Sequence, residues 1–248
     1  MTALPDDLRR ALARIAKTPR LLVTSDFDGT LSPLVQIPAD ARPLPAADAA
    51  LRALAELPNT VVALISGRSR DVLTDLTGAP TGVHLIGSHG AEFETGFAED
   101  IDDTLVANMG AVLDEIAAEH PGAMVEYKPA GVVIHVRNAD PVTGEAALAA
   151  ARAAARSWPA EMTEGKAILE FTVVDANKGD AIEILRERES ATAVVFFGDD
   201  VTDEKAFERM RDDDAGVKVG PGETLAGFRV ATPEDVAAAL DLLLAERR

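Results

Sequence analysis

The sequence predicts an α/β fold, a Rossmann-like parallel sheet with crossover helices that carries an inserted α+β segment, and three observations predict it. Short aliphatic runs at 21–24, 60–65, 83–86 and 193–197 are apolar without alternation, the pattern of strands buried on both faces. Segments of helical period at 47–57, 71–76 and 179–188 fall between these runs, as crossovers between parallel strands require. From 99 to 175 the order changes to helix, two strands, helix and strand, which reads as a separate small layer. The expected organisation is a core of residues 1–98 and 176–248 and a cap of residues 99–175.

Taken in order, the run 21–24 is Leu21-Leu22-Val23-Thr24 and ends in Asp26-Phe27-Asp28-Gly29-Thr30. The run 60–65 ends in Ser66-Gly67-Arg68, and the run 83–86 in Gly87-Ser88-His89-Gly90. In the insert, helices are expected at 105–119 and 144–157, and strands at 124–128, 132–136 and 167–173. The alanine-rich stretch 146–155 has the composition of a good helix and needs no further account. Near Asn177 the chain returns to the core, Lys178 opens the next helix, and the run 193–197 ends in Gly198-Asp199-Asp200-Val201-Thr202-Asp203-Glu204.

Composition narrows the partners. The chain has 248 residues, 47% of them hydrophobic, ample for a packed core. Its 24 basic and 42 acidic residues give a net charge of −18, which opposes binding to nucleic acid or an anionic membrane. With no cysteine, disulfides and thiolate chemistry are excluded. The first twenty residues are charged and lack an apolar signal core, and no apolar run is long enough to span a bilayer, so the cytoplasm is the expected compartment.

Ligands of an open parallel sheet gather beyond the carboxyl ends of its strands, where the chemistry-bearing residues collect here. Taken alone, Asp26 and Asp28 read equally well as a turn with solvated acids. A calcium loop starting at Asp26 fails on spacing, because its sixth and twelfth positions hold Leu31 and Ile37. The second acidic cluster, Asp199, Asp200 and Asp203, changes the weighing. Carboxylates converging from two strand ends repel unless a cation lies among them, and such oxygen ligands suit Mg²⁺. Lys178 at a helix start is disfavoured by the helix dipole unless an anion sits nearby, although a solvated lysine is the commoner case. Ser66 could equally be the cap of the following helix. Read as chemistry, Asp26 is the nucleophile and Asp28 the acid and base, two residues apart on one face of an extended segment.

Together these segments resemble the four motifs of the haloacid dehalogenase superfamily of phosphohydrolases: Asp26-Phe27-Asp28-Gly29-Thr30, Ser66, Lys178, and Gly198-Asp199-Asp200-Val201-Thr202-Asp203. The resemblance implies an aspartyl-phosphate at Asp26, acid and base work by Asp28, and Mg²⁺ held by Asp26, the Asp28 carbonyl and Asp199, with support from Asp200 and Asp203. Within that superfamily, Ile65-Ser66-Gly67-Arg68, Gly87-Ser88-His89-Gly90-Ala91-Glu92, Glu126-Tyr127-Lys128, Val133-Ile134-His135-Val136-Arg137 and Gly165-Lys166-Ala167-Ile168-Leu169-Glu170 are similar to trehalose-6-phosphate phosphatases. This likeness implies that Glu126, Lys128, Arg137 and Glu170 read the hydroxyls of a sugar phosphate, with Gly67, Arg68 and His89 beside the phosphate or sugar. It also implies a small-molecule substrate, a monomer, and functional association with a trehalose-6-phosphate synthase. Tyr127 and Pro129, and the stretch 172–176, depart from the family's usual wording.

Two alternatives remain open at this level. One is a capped phosphatase for sucrose, mannosylglycerate or hexose phosphates. The other is a phosphoacceptor signalling domain, which also gathers aspartates, a hydroxyl and a lysine at strand ends but needs no insert.

Overall fold

A computed structural model describes residues 4–98 and 100–248; Glu99, where the sequence reading begins the insert, lies outside the described residues. The chain runs α1 (Asp6–Ile15), β1 (Leu21–Ser25), α2 (Pro45–Ala55), β2 (Thr60–Ile65), α3 (Arg70–Thr77), β3 (Val83–Ile86) and two short strands, β4 (Glu92–Phe93) and β5 (Gly96–Phe97). It continues through α4 (Asp103–Glu119), β6 (Met124–Lys128), β7 (Gly131–His135), α5 (Pro141–Ala154), β8 (Glu161–Gly165) and β9 (Ile168–Thr172). The last part is α6 (Lys178–Glu189), β10 (Ala193–Gly198), α7 (Glu204–Glu208), β11 (Ala215–Val219), β12 (Phe228–Val230) and α8 (Pro233–Arg247).

Two compact units result, one reaching Gly96 and resuming at Ala176–Arg248, the other Phe97–Asp175. In the first, six strands pair in the order β12-β11-β10-β1-β2-β3, and every neighbouring pair is parallel. The central strands are buried throughout because both faces are covered. Leu21, Val23, Val62, Leu64, Val195 and Phe197 face α1, α2, α3 and α8 on one side. Leu22, Val61, Ala63, Ile65, Val194 and Phe196 face α6 and α7 on the other. From β1 the strand order runs one way through β2 and β3 and the other way through β10 to β12. That reversal leaves a crevice at the carboxyl ends of β1 and β10. Asp26 stands at this point, its N–H extending the ladder to Phe197 O at 2.8 Å.

The second unit is a four-stranded antiparallel sheet, β6-β7-β9-β8, with α4 and α5 on one face. Val132, Ile134, Leu169 and Phe171 point into that packed layer. Alternation therefore turns Glu126, Lys128, His135 and Glu170 to the opposite face. The sequence reading lacked β8, which pairs with β9 along its whole length. Every residue of β8 is exposed and its sequence, Glu-Met-Thr-Glu-Gly, has no apolar alternation, so the strand exists through its hydrogen bonds rather than through burial. The reading also ended the sheet at 193–197, whereas β11 and β12 extend it. Among the described residues no helix is long and apolar enough to cross a membrane.

The sole tryptophan, Trp158, packs edge-on against the buried Phe171 with ring centroids 5.0 Å apart. Its fluorescence therefore reports on the second unit. Phe171→Ala is expected to destabilise that unit by about 3–5 kcal/mol, seen as an earlier tryptophan transition in urea; an unchanged midpoint would contradict the packing described here.

Candidate active site

Lys178 holds the site together. Its Nζ donates to Asp26 Oδ1 and to Asp203 Oδ1, each at 2.6 Å. Lys178 is 2% exposed, Asp26 5% and Asp203 0%, so all three charges are out of bulk water. Asn177 caps α6, its Oδ1 accepting from Gly179 N at 3.0 Å and Asp180 N at 3.1 Å. The helix amides are thus occupied, and the anions that justify a lysine at this helix start are Asp26 and Asp203 themselves.

Asp203 also closes the loop after β10. Its Oδ2 accepts from Asp199 N at 2.8 Å and Asp200 N at 2.9 Å. A side chain at Gly198 would put its Cβ 2.4 Å from Asp203 Cγ, so the strand must end in glycine for this carboxylate to tuck back. Gly29 has φ +81° and faces Asp199, whose Oδ2 would lie 2.1 Å from any Cβ built there. Both the left-handed turn and the close approach require glycine. Thr30 Oγ1 lies 3.5 Å from Asp199 Oδ1.

Asp26, Asp199 and Asp203 bring carboxylate oxygens within 4.8 Å of one another. Burial is the largest influence on Asp26 and pushes its carboxyl up to about 8; Lys178 pulls it down, while Asp203 and Asp199 push it further up. Asp199 is pushed up to about 6 by burial and then by the charges of Asp203 and Asp200. Lys178 is raised above the ordinary lysine value, since Asp26 and Asp203 outweigh the opposing effect of burial. Such crowding of acids is what a dication relieves. Because the Asp203 oxygens are already engaged, the remaining donors are Asp26 Oδ2 and the Asp199 carboxylate, an all-oxygen set that fits a hard divalent cation. Asp200 is exposed, its Oδ1 accepting from Val201 N at 2.7 Å, and it stands outside this group.

A second cluster surrounds Asp28. Arg68 grips it bidentately, Nε to Oδ2 at 2.6 Å and Nη2 to Oδ1 at 2.7 Å, with the guanidinium 5.8 Å from the Phe27 ring centroid. Ser66 is buried and its Oγ accepts from Arg68 N at 3.2 Å, while Ser69 caps α3. The Ser66 carbonyl accepts from His89 N at 2.9 Å, and the His89 ring lies so close to Gly67 that a Cβ there would sit 2.4 Å from Cε1. Glu92 braces both loops, accepting from Arg70 N at 2.7 Å and Ser88 Oγ at 3.3 Å.

On the open face of the second unit, Glu126 stands opposite Val133 and Val133 opposite Glu170, so the two acids share one row. Lys128 Nζ reaches across β7 to Glu170 Oε1 at 2.6 Å. Arg137 is exposed in the turn after β7, without a hydrogen bond or ion pair among the described residues. Tyr127, on the other face, donates to Asp114 at 2.7 Å.

Two residues were missed by sequence reasoning. Lys218, buried on β11, donates to the backbone carbonyl of Asp199 and to Val219 O. A lysine inside the otherwise apolar run Ala-Gly-Val-Lys-Val was the available signal. Glu92 was noticed only as part of a motif, because its role is to accept from a backbone amide 22 residues away.

Replacing Lys178 by Met strands two buried carboxylates and is expected to cost about 3–5 kcal/mol of stability, measured by urea unfolding. Mg²⁺ is expected to raise the wild-type melting temperature and to have no effect on Asp199→Asn. An equal rise in both proteins would place the cation elsewhere.

A bifunctional trehalose-6-phosphate synthase/phosphatase from Thermoproteus tenax is 36% identical over 226 residues, 87% of this chain and 30% of that protein. A trehalose-phosphate phosphatase from Mycobacterium avium is 41% identical over 202 residues, 75% of this chain and 50% of that one. The chain thus spans half or less of the length of these relatives. The solved C-terminal domain of the C. albicans trehalose-6-phosphate phosphatase has a TM-score of 0.81 at 24% identity, covering 99% of this chain and 98% of its own, and so has the same fold. The trehalose-phosphatase family profile matches residues 24–231, and with its parallel-sheet core and inserted α+β unit the chain belongs to that family.

Proposed function

We propose that the protein hydrolyses trehalose 6-phosphate to trehalose and phosphate. The observation that carries this reading is the buried Asp26–Lys178–Asp203 array, with Asp199 beside it, at the switch point of the sheet in a chain of the trehalose-phosphatase family. The substrate follows from the family and from the row of Glu126 and Glu170 on the open face of the second unit, the unit assigned to reading the sugar. Tyr127, a departure from the usual wording, points away from that face.

In this mechanism Asp26 attacks phosphorus in line, and the bond to the sugar oxygen breaks as Asp28 gives that oxygen a proton. Water, deprotonated by Asp28, then cleaves the aspartyl-phosphate and releases inorganic phosphate. The Arg68 fork fixes the direction of the Asp28 carboxyl through both of its oxygens. For the first half-reaction, the fork must loosen so that Asp28 carries a proton. Lys178 orients Asp26 and pulls its carboxyl down from where burial alone would set it; Ser66 and the backbone at Gly67 hold the phosphate. Asp26, Asp199 and the Asp28 carbonyl would hold Mg²⁺, with Asp203 ordering the Asp199 loop, and the ion would supply charge neutralisation at the phosphoryl oxygens. Arg68 and His89 border the phosphate, and Glu126, Lys128, Arg137 and Glu170 bind the disaccharide hydroxyls. The Thermoproteus tenax relative is named a bifunctional synthase/phosphatase, which supports association of this chain with a trehalose-6-phosphate synthase.

Phosphate release from trehalose 6-phosphate, sucrose 6-phosphate and glucose 6-phosphate tests this reading. Fast release from trehalose 6-phosphate alone is expected, abolished by EDTA and reduced to background in Asp26→Asn. Preference for another sugar phosphate would keep the Asp26 chemistry and overturn the substrate. Near-normal release by Asp26→Asn would overturn the mechanism.

A further inference from the structure

On the face of the second unit that carries Glu126 and Glu170, the mechanism leaves His135 without a task. It sits at the end of β7, opposite Met124 on β6 and Ile168 on β9. Its Nε2 lies 2.8 Å from Glu126 Oε2, on the diagonal across the strand pair. A carboxylate only accepts, so the ring nitrogen carries the proton in this contact. Glu126 is on the edge strand of its sheet, with its side chain 53% exposed. Left alone, a glutamate in that setting samples many rotamers, and ordering it on ligand binding costs conformational entropy. His135 removes that freedom by binding one oxygen. Oε1 keeps no hydrogen bond among the described residues.

The partner acid in the same row shows the same arrangement. Glu170 Oε1 is tied by Lys128 from across β7, while Oε2 makes no hydrogen bond among the described residues. Glu126 and Glu170 thus stand two strand spacings apart, about 10 Å, each fixed through one oxygen and open at the other, unlike Glu161 on the edge strand β8, which is untied among the described residues. A fixed carboxylate oxygen is a directional acceptor for a hydroxyl, and a pair at this separation suits a ligand two sugar rings long.

We infer that His135 is a positioning residue that holds Glu126 in its hydroxyl-accepting attitude and thereby sets the preference for a disaccharide over a smaller phosphate ester. This inference rests on the sugar-reading assignment of the face proposed above. His135 itself acts through Glu126 and does not touch the reacting atoms.

The test compares wild type, His135→Ala, His135→Gln, Glu126→Ala and the double variant Glu126→Ala/His135→Ala, using trehalose 6-phosphate and p-nitrophenyl phosphate with Mg²⁺. Glutamine places an amide donor close to the position of Nε2. Losing a hydrogen bond to a charged group corresponds to about tenfold. For His135→Ala the expected result is a rise of about tenfold in KM for trehalose 6-phosphate with little change in kcat, so that the ratio of kcat/KM between the two substrates falls by the same factor. Glutamine is expected to restore most of the loss, and the double variant to be no worse than Glu126→Ala. An unchanged ratio in His135→Ala beside a lowered one in Glu126→Ala overturns the role of His135 and leaves the sugar-reading face standing. An unchanged ratio in both variants overturns that face as well. Equal loss on both substrates, or additive losses in the double variant, marks His135 as structural and overturns the proposal; circular dichroism of the glutamine variant guards against misfolding as the cause.

Discussion

One buried ammonium group decides how the strand ends of the first unit can be arranged. Lys178 bridges the end of β1, through Asp26, to the loop after β10, through Asp203. Two carboxylates could not occupy that dry volume without it, since desolvating each costs several kcal/mol and their mutual repulsion adds to the penalty. The same Asp203 then fastens the amides of Asp199 and Asp200. Through this one side chain, strand β1, helix α6 and the loop after β10 hold a common geometry, and the directions of Asp26 and Asp199 follow from it. The bridge sets one ammonium against the carboxylates of Asp26, Asp203 and Asp199, a balance that favours a cation at the remaining oxygens.

The two units solve different recognition problems with different sheets. A parallel sheet hides both faces and exposes only strand ends, so its polar groups converge on a small volume suited to one phosphoryl group. The antiparallel sheet of the second unit packs one face against helices and carries its charged groups on the other, where they spread along rows. Lys128 and Glu170 meet on the diagonal across β7, where Lys128 lies opposite Gly131 and Glu170 opposite Val133.

Much of this was legible in the sequence, for definable reasons. Residues 21–24 and 193–197 are continuous apolar runs because both faces of the sheet are packed, and burial writes itself directly into composition. Asp26 and Asp199 stood out because each follows such a run, and Lys178 because it opens the helix that leads into the run 193–197. The exposed strand β8 left no trace, since an edge held by backbone hydrogen bonds imposes no side-chain pattern. The distinct tasks of Asp200 and Asp203 were equally invisible. Only the tight turn at Val201–Asp203 carries Asp203 back under the loop while Asp200 stays in solvent. The Asp28–Arg68 fork joins residues 40 positions apart, and the His135–Glu126 pair depends on hairpin register, so neither could be read from spacing alone.

The glycines at 29, 67 and 198 each lie where a methyl group would strike Asp199, His89 or Asp203. Their contribution is the absence of an atom, and no missense codon can reproduce it. The set of positions intolerant to coding change is therefore wider than the set of ionisable residues. In a population of variants of this gene, inactivating alleles would accumulate at these three neutral sites as they do at the charged ones, while conservative exchanges at the exposed strand β8 would pass without consequence.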